Sequence, residues 1–369
     1  MKIERISVFR VELPLTHPYR LSGGRLRFER LDSTFVRIDT DNGFVGWGEG
    51  CPWGSTYLPA FPGGLRAAIA ELAPTVIGLD PRRTDVVDAA MDLALPGHLY
   101  AKSALDQACW DVFGKSVGLP VYELLGGGTD EQVTIQSSIG QDTPEAMVAD
   151  IRRRHEQGYR VHSPKIGSDV DDDVARVEAI AEGLPAGDSV TFDANRAMLP
   201  DQAIRLMRRT DDVDAYFEQP CQTYDECLQV RRATTQPIIL DEIVVDYADV
   251  LRAQRDRACE AIGLKIERVG GLTKARRIRD FCVQSGIRMN IEATGGSVLA
   301  DSVAVQLAQA TPSRAQRATW LCHEMLAVDP CEGGARNLGG HTRAPDRPGL
   351  GVEPRLEVLG EPVATYRRR

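Results

Sequence analysis

The sequence has 369 residues, of which 43% are hydrophobic and 26% are charged, and its formal net charge at pH 7 is −9. This length exceeds one minimal domain and suits a large domain with a smaller companion. The net negative charge argues against a nucleic-acid surface, which requires clustered lysine and arginine. We also expect no membrane association, because no apolar segment is long enough to span a bilayer or to act as a signal peptide.

The first 49 residues predict β structure. Asp41-Asn42-Gly43 separates the apolar runs Phe35–Ile38 and Phe44–Trp47. Asn-Gly between such runs is a strong hairpin signal, because both central positions of the favoured turn need a positive φ. Helical periodicity follows at about 65–76 and 101–113. A sheet followed by helices predicts a separate α+β domain.

Strict alternation of short apolar runs and amphipathic stretches begins at about Val133. The predicted strands are Val133–Ile139, Val161–Ile166, Val190–Ala194, Ala215–Glu218, Ile238–Asp241, Ala261–Lys265, Met289–Glu292 and Ala318–Cys322. Alternation repeated seven or eight times predicts an α/β fold with a parallel (β/α) barrel. The stretch from about Cys331 is rich in glycine and proline, and we expect it to return to the first domain. The expected division is 1–128, 129–330 and 331–369.

The eight cysteines are dispersed, with no Cys-x-x-Cys pair. This pattern indicates reduced thiols rather than a disulfide framework or a zinc site, and it favours a cytoplasmic protein. We expect Cys51 to be a packed thiol, since no histidine is placed by sequence to activate it.

A polar residue ends each of six consecutive apolar runs. These residues are Lys165, Asp193, Glu218, Asp241, Lys265 and Glu292, and successive members lie 23 to 28 positions apart. Each step is about one βα unit of a barrel, so we expect all six side chains at the carboxyl-terminal face of the barrel, where active sites form.

Three of these residues, Asp193, Glu218 and Asp241, are acids on adjacent predicted strands. Carboxylate oxygens are the ligands that Mg²⁺ prefers. The alternative is a buried ion network with the neighbouring lysines, but three converging acids without a cation would repel one another. We therefore predict a Mg²⁺ site.

Lys165 and Lys265 flank that position on the second and sixth predicted strands. A lysine whose pKa is about 10.4 is a poor base at neutral pH. Burial and a nearby cation both disfavour the ammonium, so we expect lowered pKa values and a pair of acid/base groups. The alternative for either lysine alone is a salt bridge to a metal ligand.

These residues resemble the enolase superfamily, specifically its muconate-lactonising and mandelate-racemase-like branch. The matching segments are Lys165–Gly167, Phe192–Asn195, Glu218–Pro220, Asp241–Glu242, Lys265–Gly271, Ala104–Gly127 and Pro348–Val352. The resemblance implies a (β/α)7β TIM-like barrel with an α+β N-terminal capping domain, one Mg²⁺ and an enediolate intermediate. It also implies that the three acids are metal ligands, that the two lysines are acid/base residues, and that the protein is a homo-oligomer.

Two departures from that branch bear on the substrate. Ser163 stands where the branch often has the first lysine of Lys-x-Lys, which leaves room for a substrate with its own positive charge. The run that ends Ile291–Thr294 has no histidine, which disfavours the histidine-based racemases and sugar-acid dehydratases.

Aromatic residues near the predicted barrel mouth indicate a cationic substrate. Trp53 and Tyr57 lie on a glycine-rich segment, Trp320 lies near the eighth strand, and Glu292 and Thr294 follow the seventh. Aromatic faces and a carboxylate suit an ammonium group, so we predict these five residues as substrate-binding. The alternative is that Trp53 and Tyr57 only pack the domain interface.

The resemblance is closest to the proline-derivative members of the branch. It implies a Mg²⁺-dependent lyase that dehydrates cis-3-hydroxy-L-proline to Δ1-pyrroline-2-carboxylate. The Leu21–Gly24 loop and the segment GEGCPWGSTY favour this reading. The same two lysines would also serve a 2-epimerase or racemase of 4-hydroxyproline betaine, proline betaine or proline. Less favoured readings are a dipeptide epimerase, a cycloisomerase, and a barrel that binds a metal or an amino acid without turnover.

Overall fold

The structure is a computed structural model that describes residues 1–22, 24–129 and 132–367. Gly23 of the predicted Leu21–Gly24 loop lies outside these residues, as do 130–131 and 368–369 of the expected domain division. Within the described ranges, no helix combines the length and the hydropathy needed to cross a membrane.

Among the described residues, the first part of the chain contains three strands and four helices. The strands are β1 (Ile3–Leu21), β2 (Leu26–Thr40) and β3 (Val45–Gly50), and the helices are α1 (Pro62–Val76), α2 (Thr84–Ala94), α3 (Leu99–Val117) and α4 (Val121–Leu124). The predicted hairpin is confirmed, since β2 and β3 pair antiparallel and Gly43 has a φ of 87°. Helix α2 is an addition that the sequence reasoning did not anticipate.

The middle of the chain alternates strands and helices. The elements are β4 (Val133–Thr134), β5 (Gln136–Ile139), α5 (Pro144–Glu156), β6 (Val161–Pro164), α6 (Val170–Gly183), β7 (Ser189–Asp193), α7 (Pro200–Arg209), β8 (Tyr216–Glu218), α8 (Tyr224–Ala233), β9 (Ile238–Leu240), α9 (Tyr247–Asp256), β10 (Ala261–Lys265), α10 (Ile266–Val269), α11 (Leu272–Ser285), β11 (Arg288–Glu292), α12 (Val298–Gln309) and β12 (Gln316–Ala318). Strands β5 to β12 form one eight-stranded parallel sheet in sequence order. A parallel bridge between Ile135 and Thr319 joins its edges, so the sheet is a nearly closed barrel and the predicted fold class is confirmed.

The eighth strand lies two residues earlier than its predicted start. The apolar run Ala318–Cys322 marks burial rather than strand pairing, because Leu321 and Cys322 are buried beyond the strand end and a 3₁₀ turn begins at Cys322. Trp320 is thereby released from the sheet at the mouth of the barrel.

The last elements are β13 (Cys331–Gly333), β14 (His341–Thr342), β15 (Val352–Pro354), α13 (Leu356–Leu359) and β16 (Ala364–Arg367). Strand β16 pairs antiparallel with β1, which makes the sheet order β16-β1-β2-β3. Strand β16 is thus hydrogen-bonded to the sheet that contains β1. The division at 128 and 330 remains our proposal for the domain limits.

Glu49 on β3 fastens the first sheet to the barrel. Its carboxylate accepts hydrogen bonds from Ser33 Oγ, at 2.6 Å, and from the amide and hydroxyl of Ser297 and the amide of Ala300. The last two residues lie at the start of α12, where exposed amides favour negative charge. This contact fixes the segment that follows Glu49 over the open end of the barrel.

Candidate active site

All six predicted polar side chains lie at the carboxyl-terminal end of the barrel. Asp193, Glu218, Lys265 and Glu292 are the last residues of β7, β8, β10 and β11, and Lys165 and Asp241 directly follow β6 and β9. The pairing registers place Asp193 beside Glu218 and Lys265 beside Glu292. Parallel strands bring their carboxyl ends to one edge, which explains why residues spaced by one βα unit meet there.

The two lysines lie on opposite sides of the barrel axis. β6 and β10 are separated by four steps in an eight-stranded barrel, which is half the circumference. Lys165 forms an ion pair with Asp193 Oδ2. Lys265 Nζ lies 3.0 Å from Glu292 Oε2 and 3.7 Å from Asp241 Oδ2. Both ammonium groups line one cavity from opposite walls.

The pKa values of both lysines are raised, so the lowered values expected from the sequence are not found in this arrangement. Burial disfavours the Lys165 ammonium, but the attraction of Asp193 and Glu218 outweighs it and raises the pKa. Burial of Lys265 is likewise outweighed by Asp241 and Glu292. The expectation counted burial and a cation, whereas here carboxylates stand directly against the ammonium groups. A lysine that acts as a base must first be separated from them.

The three acids have unequal surroundings. Burial opposes ionisation of Asp241, but Arg268 and Lys265 outweigh it and lower its pKa. Arg268 Nη2 lies 2.7 Å from Asp241 Oδ1, a contact that the sequence reasoning missed although it quoted the motif. Glu218 is 4% exposed and its Oε2 has no hydrogen-bond partner. Burial, Asp193 and Asp241 raise the pKa of Glu218 well above its usual range.

This donor set fits a hard cation, although the side chains are not gathered around one. Among the described residues, no group of three or more His, Cys, Asp and Glu side chains has a ligating arrangement. The reason is local, since Lys165 occupies an oxygen of Asp193 and Arg268 occupies one of Asp241. The partnerless oxygen of Glu218 between two further acids is nevertheless a position that a cation would satisfy. Asp193, Glu218 and Asp241 are therefore our proposed Mg²⁺ ligands.

Three aromatic rings form one wall of the cavity. The ring centroids of Tyr19 and Trp53 are 5.3 Å apart, those of Tyr19 and Trp320 6.3 Å, and those of Trp53 and Trp320 6.4 Å. The sequence reasoning proposed the two tryptophans and missed Tyr19, because Tyr19 lies in the long strand β1 with no local signal. We call Tyr19, Trp53 and Trp320 the aromatic wall.

The other predicted binding residues also line this cavity, in different roles. Tyr57 donates a hydrogen bond of 2.8 Å to Glu242 Oε1. The Thr294 carbonyl accepts from Trp53 Nε1 at 2.5 Å. Glu292 is not the unclaimed carboxylate expected from the sequence, because Gln136 Nε2 and Lys265 both donate to it. Glu292 is therefore better placed to bind Lys265 than to bind a substrate ammonium.

The lining is mostly polar below the aromatic wall. The cavity is bounded by Tyr19, Leu21, Trp53, Tyr57, Gln136, Ser138, Ser163, Lys165, Asp193, Asn195, Glu218, Lys265, Glu292, Thr294 and Trp320. Ser163 thus occupies the wall where a lysine would add positive charge. Cys51 is fully buried and burial raises its pKa well above the usual range, which confirms the expectation of a packed thiol.

Comparison with known families accounts for most of the chain. Residues 5–126 match the family described as mandelate racemase / muconate lactonizing enzyme, N-terminal domain. Residues 146–358 match the family described as enolase C-terminal domain-like.

Individual relatives match most or all of the chain. The chain is 41% identical to a cis-3-hydroxy-L-proline dehydratase of Roseibium aggregatum over 367 residues, which cover 99% of this chain and 100% of the relative. It is 31% identical to a hydrophobic dipeptide epimerase of Enterococcus faecalis, with 79% and 82% of the two chains covered. A crystal structure of an enolase-superfamily member from Roseovarius nubinhibens, complexed with magnesium, is 52% identical over the whole of both chains, with a TM-score of 0.96.

Proposed function

This chain belongs to the enolase superfamily and is an enzyme, and from that premise we propose that it dehydrates cis-3-hydroxy-L-proline to Δ1-pyrroline-2-carboxylate. The observation that carries the proposal is the pair of lysines on opposite walls of one cavity. The 41% identity to a full-length dehydratase supports the same substrate. The partner is therefore a small cyclic amino acid, and we retain the expectation of a homo-oligomer that binds neither nucleic acid nor membrane.

The stereochemistry of the substrate matches opposed lysines. In cis-3-hydroxy-L-proline the hydroxyl and the carboxylate share one ring face, so the α-hydrogen lies on the other face. One lysine, as the neutral amine, takes the α-proton. The other, as the ammonium, gives a proton to the hydroxyl, which leaves as water. The enamine that remains tautomerises to Δ1-pyrroline-2-carboxylate, so atoms and charge balance.

The three acids would bind the cation, and the carboxylates near the lysines set the protonation state of each lysine. Mg²⁺, when bound by Asp193, Glu218 and Asp241, would supply positive charge that favours the enediolate form of the substrate carboxylate. Lys165 and Lys265 hold their protons while the carboxylates face them. Withdrawal of Asp193 from Lys165, or of Asp241 from Lys265, removes the largest of the attractions that raise each pKa, so that the lysine is brought closer to acting as a base.

The aromatic wall favours a second candidate, the 2-epimerisation of 4-hydroxyproline betaine or proline betaine. Three rings within 6.4 Å of one another suit a quaternary ammonium, which makes no hydrogen bonds and is held by ring faces. Without a 3-hydroxyl, the second lysine would return a proton to the opposite face of Cα. Dipeptide epimerisation is disfavoured by the aromatic wall and by Ser163, which suit a substrate cation.

A proton-NMR experiment in D₂O separates these reactions. The purified protein with Mg²⁺ is incubated with cis-3-hydroxy-L-proline, and parallel samples contain L-proline or 4-hydroxyproline betaine. We expect loss of the 3-hydroxy substrate and appearance of Δ1-pyrroline-2-carboxylate. Deuterium at Cα of the other two compounds, without elimination from the first, would assign the epimerase instead. No change in any sample would contradict both assignments.

A further inference from the structure

The turn that follows Asp193 has an unusual backbone. Asn195 and Arg196 are successive non-glycine residues with φ values of 43° and 65°, in the left-handed region that most side chains avoid. The Asn195 amide donates to Asp193 Oδ1 at 2.8 Å, and the Arg196 amide donates to the Gln219 carbonyl at 2.9 Å. Such a conformation persists where surrounding contacts hold it, and it is concentrated at functional sites.

This turn contacts both segments that cover the barrel mouth. Ser22, at the end of β1, donates from Oγ to the Asn195 carbonyl at 3.0 Å. Arg196 Nη2 donates to the Tyr57 carbonyl, and the guanidinium carbon lies 5.2 Å from the centroid of the Tyr57 ring. The turn is thus one of the points where the two covering segments are tied to the barrel, besides the hydrogen bonds of Trp53 to Thr294 and of Tyr57 to Glu242.

Arg196 and Tyr57 border different cavities. Tyr57 lines the cavity with the two lysines, whereas Arg196 lines a separate, largely apolar cavity of 650 Å³. Glu242, which also lines that second cavity, accepts a hydrogen bond of 2.8 Å from the Tyr57 hydroxyl, and its Oε1 lies 3.8 Å from Arg196 Nε. Tyr57 is therefore held by one cation and one carboxylate that line the neighbouring cavity.

We propose that Arg196 is a positioning residue that clasps Tyr57 and so keeps the 51–61 segment closed over the active site. Among the described residues it forms no hydrogen bond or ion pair with the two lysines or the three proposed metal ligands, and it acts through the Tyr57 ring and carbonyl and through Glu242, the acceptor of the Tyr57 hydroxyl. The proposal rests on the proposed function only in taking the cavity under Tyr57 as the active site. Release of the clasp is then required for the passage of substrate and product.

The test is hydrogen–deuterium exchange of peptides from residues 51–61 in three variants. Arg196→Met keeps an unbranched side chain and removes the charge and the donors. Arg196→Lys keeps the charge and a single donor nitrogen, and Arg205→Met is the matched control on the exposed surface of α7. We expect exchange in 51–61 to be about tenfold faster in Arg196→Met, because a lost hydrogen bond to a charged group is worth about one decade in an equilibrium. Arg196→Lys is expected to restore slow exchange, and Arg205→Met is expected to match the wild type.

The outcomes are distinct from those of the substrate assay. Unchanged exchange in Arg196→Met would overturn the proposal. Equal acceleration in Arg196→Met and Arg196→Lys would also overturn it, as would acceleration spread evenly over the barrel peptides, because both indicate loss of packing. If no proline derivative reacts, the exchange result still decides the clasp. If one reacts, we expect Arg196→Met to raise KM more than it lowers kcat, as for loss of binding rather than of chemistry.

Discussion

Glu218, a proposed metal ligand, lies in surroundings that disfavour its charged form. Its buried carboxyl group lies among Asp193, Asp241 and Glu292, which raise its pKa together with burial, and one of its oxygens has no partner. Positive charge at this point would relieve both costs. We therefore expect Glu218 to lower the stability of the protein when no cation is bound and to increase its affinity for a cation.

The substitution Glu218→Gln tests both effects, since it is expected to raise the stability and to lower the Mg²⁺ affinity. Without Mg²⁺ at pH 8, we expect the free energy of unfolding to rise by on the order of 1–3 kcal/mol, because the amide carries no charge among the neighbouring acids. By calorimetric titration, we expect Mg²⁺ affinity to fall by about 100-fold or more, because a charged ligand is lost. A variant with lower stability and unchanged Mg²⁺ affinity would contradict the assignment.

The carboxyl group of Glu267 is expected to make the stability of the protein depend on pH. Burial raises its pKa to about 8, and only its Oε2 accepts a hydrogen bond, from the Thr294 amide. The unfolded value is about 4.3. Because the folded pKa is the higher one, the stability from the bound proton is complete below pH 4.3 and is lost as the pH rises towards 8.

We therefore expect Glu267→Gln to flatten the fall in stability between pH 5 and pH 8. The advantage of the variant over the wild type is expected to grow with pH by a few kcal/mol, at about 1.36 kcal/mol per unit. Urea unfolding at pH 5, 7 and 9 measures this change, and Glu178→Gln on the exposed side of α6 is the surface control. Parallel curves for wild type and Glu267→Gln would show that the carboxyl does not titrate as described.

At the scale of elements, β3 can approach the backbone of α3 closely because glycine residues of β3 carry no side chain. Gly48 faces the backbone of α3, where an added Cβ would meet the Ala104 carbonyl oxygen closer than real Cβ contacts allow. We expect Gly48→Ala to destabilise the protein by about 3 kcal/mol, since backbone atoms cannot yield as a flexible side chain can. Gly140→Ala, with open space around it, is the control in thermal unfolding. Equal melting temperatures for the two variants would contradict this packing.

The aromatic wall joins three elements that are distant in sequence. Tyr19 comes from β1, Trp53 from the segment after β3, and Trp320 from the segment after β12. If a ring cation of the substrate lies there, Tyr19→Leu is expected to raise KM by about 30-fold, from a desolvated cation–π contribution of about 2 kcal/mol. Tyr19→Phe retains the ring and is expected to change KM little. Steady-state kinetics that show equal KM values for both variants would place the cation elsewhere.

For the whole molecule, the parts predicted from the sequence are those with a repeating signal. The barrel strands recur as apolar runs, and a polar residue at the end of each run marks one face, so Lys165, Asp193, Glu218, Asp241, Lys265 and Glu292 were found together. Their pairings were not predictable, because Arg268 beside Asp241 and Gln136 beside Glu292 depend on side-chain directions in three dimensions.

The missed features are contacts between distant segments. Tyr19 and Trp320 are 301 positions apart, yet their rings are neighbours only because the first sheet covers the barrel. Arg196 binding to Tyr57 has the same origin. The misplaced eighth strand has another cause, since buried apolar residues after a strand end look in sequence like the strand itself.

The most direct measurement of the account is turnover, followed by proton NMR in D₂O as loss of the Cα proton signal, by the wild type, Lys165→Ala and Lys265→Ala, with Mg²⁺ and a proline derivative that the wild type converts. Lys2→Ala, at an exposed position, is the control. We expect the wild type and the control to be active and turnover by each active-site variant to fall by about 10²–10⁴-fold, the usual contribution of an acid or base. Full turnover by either active-site variant would contradict the two-lysine mechanism.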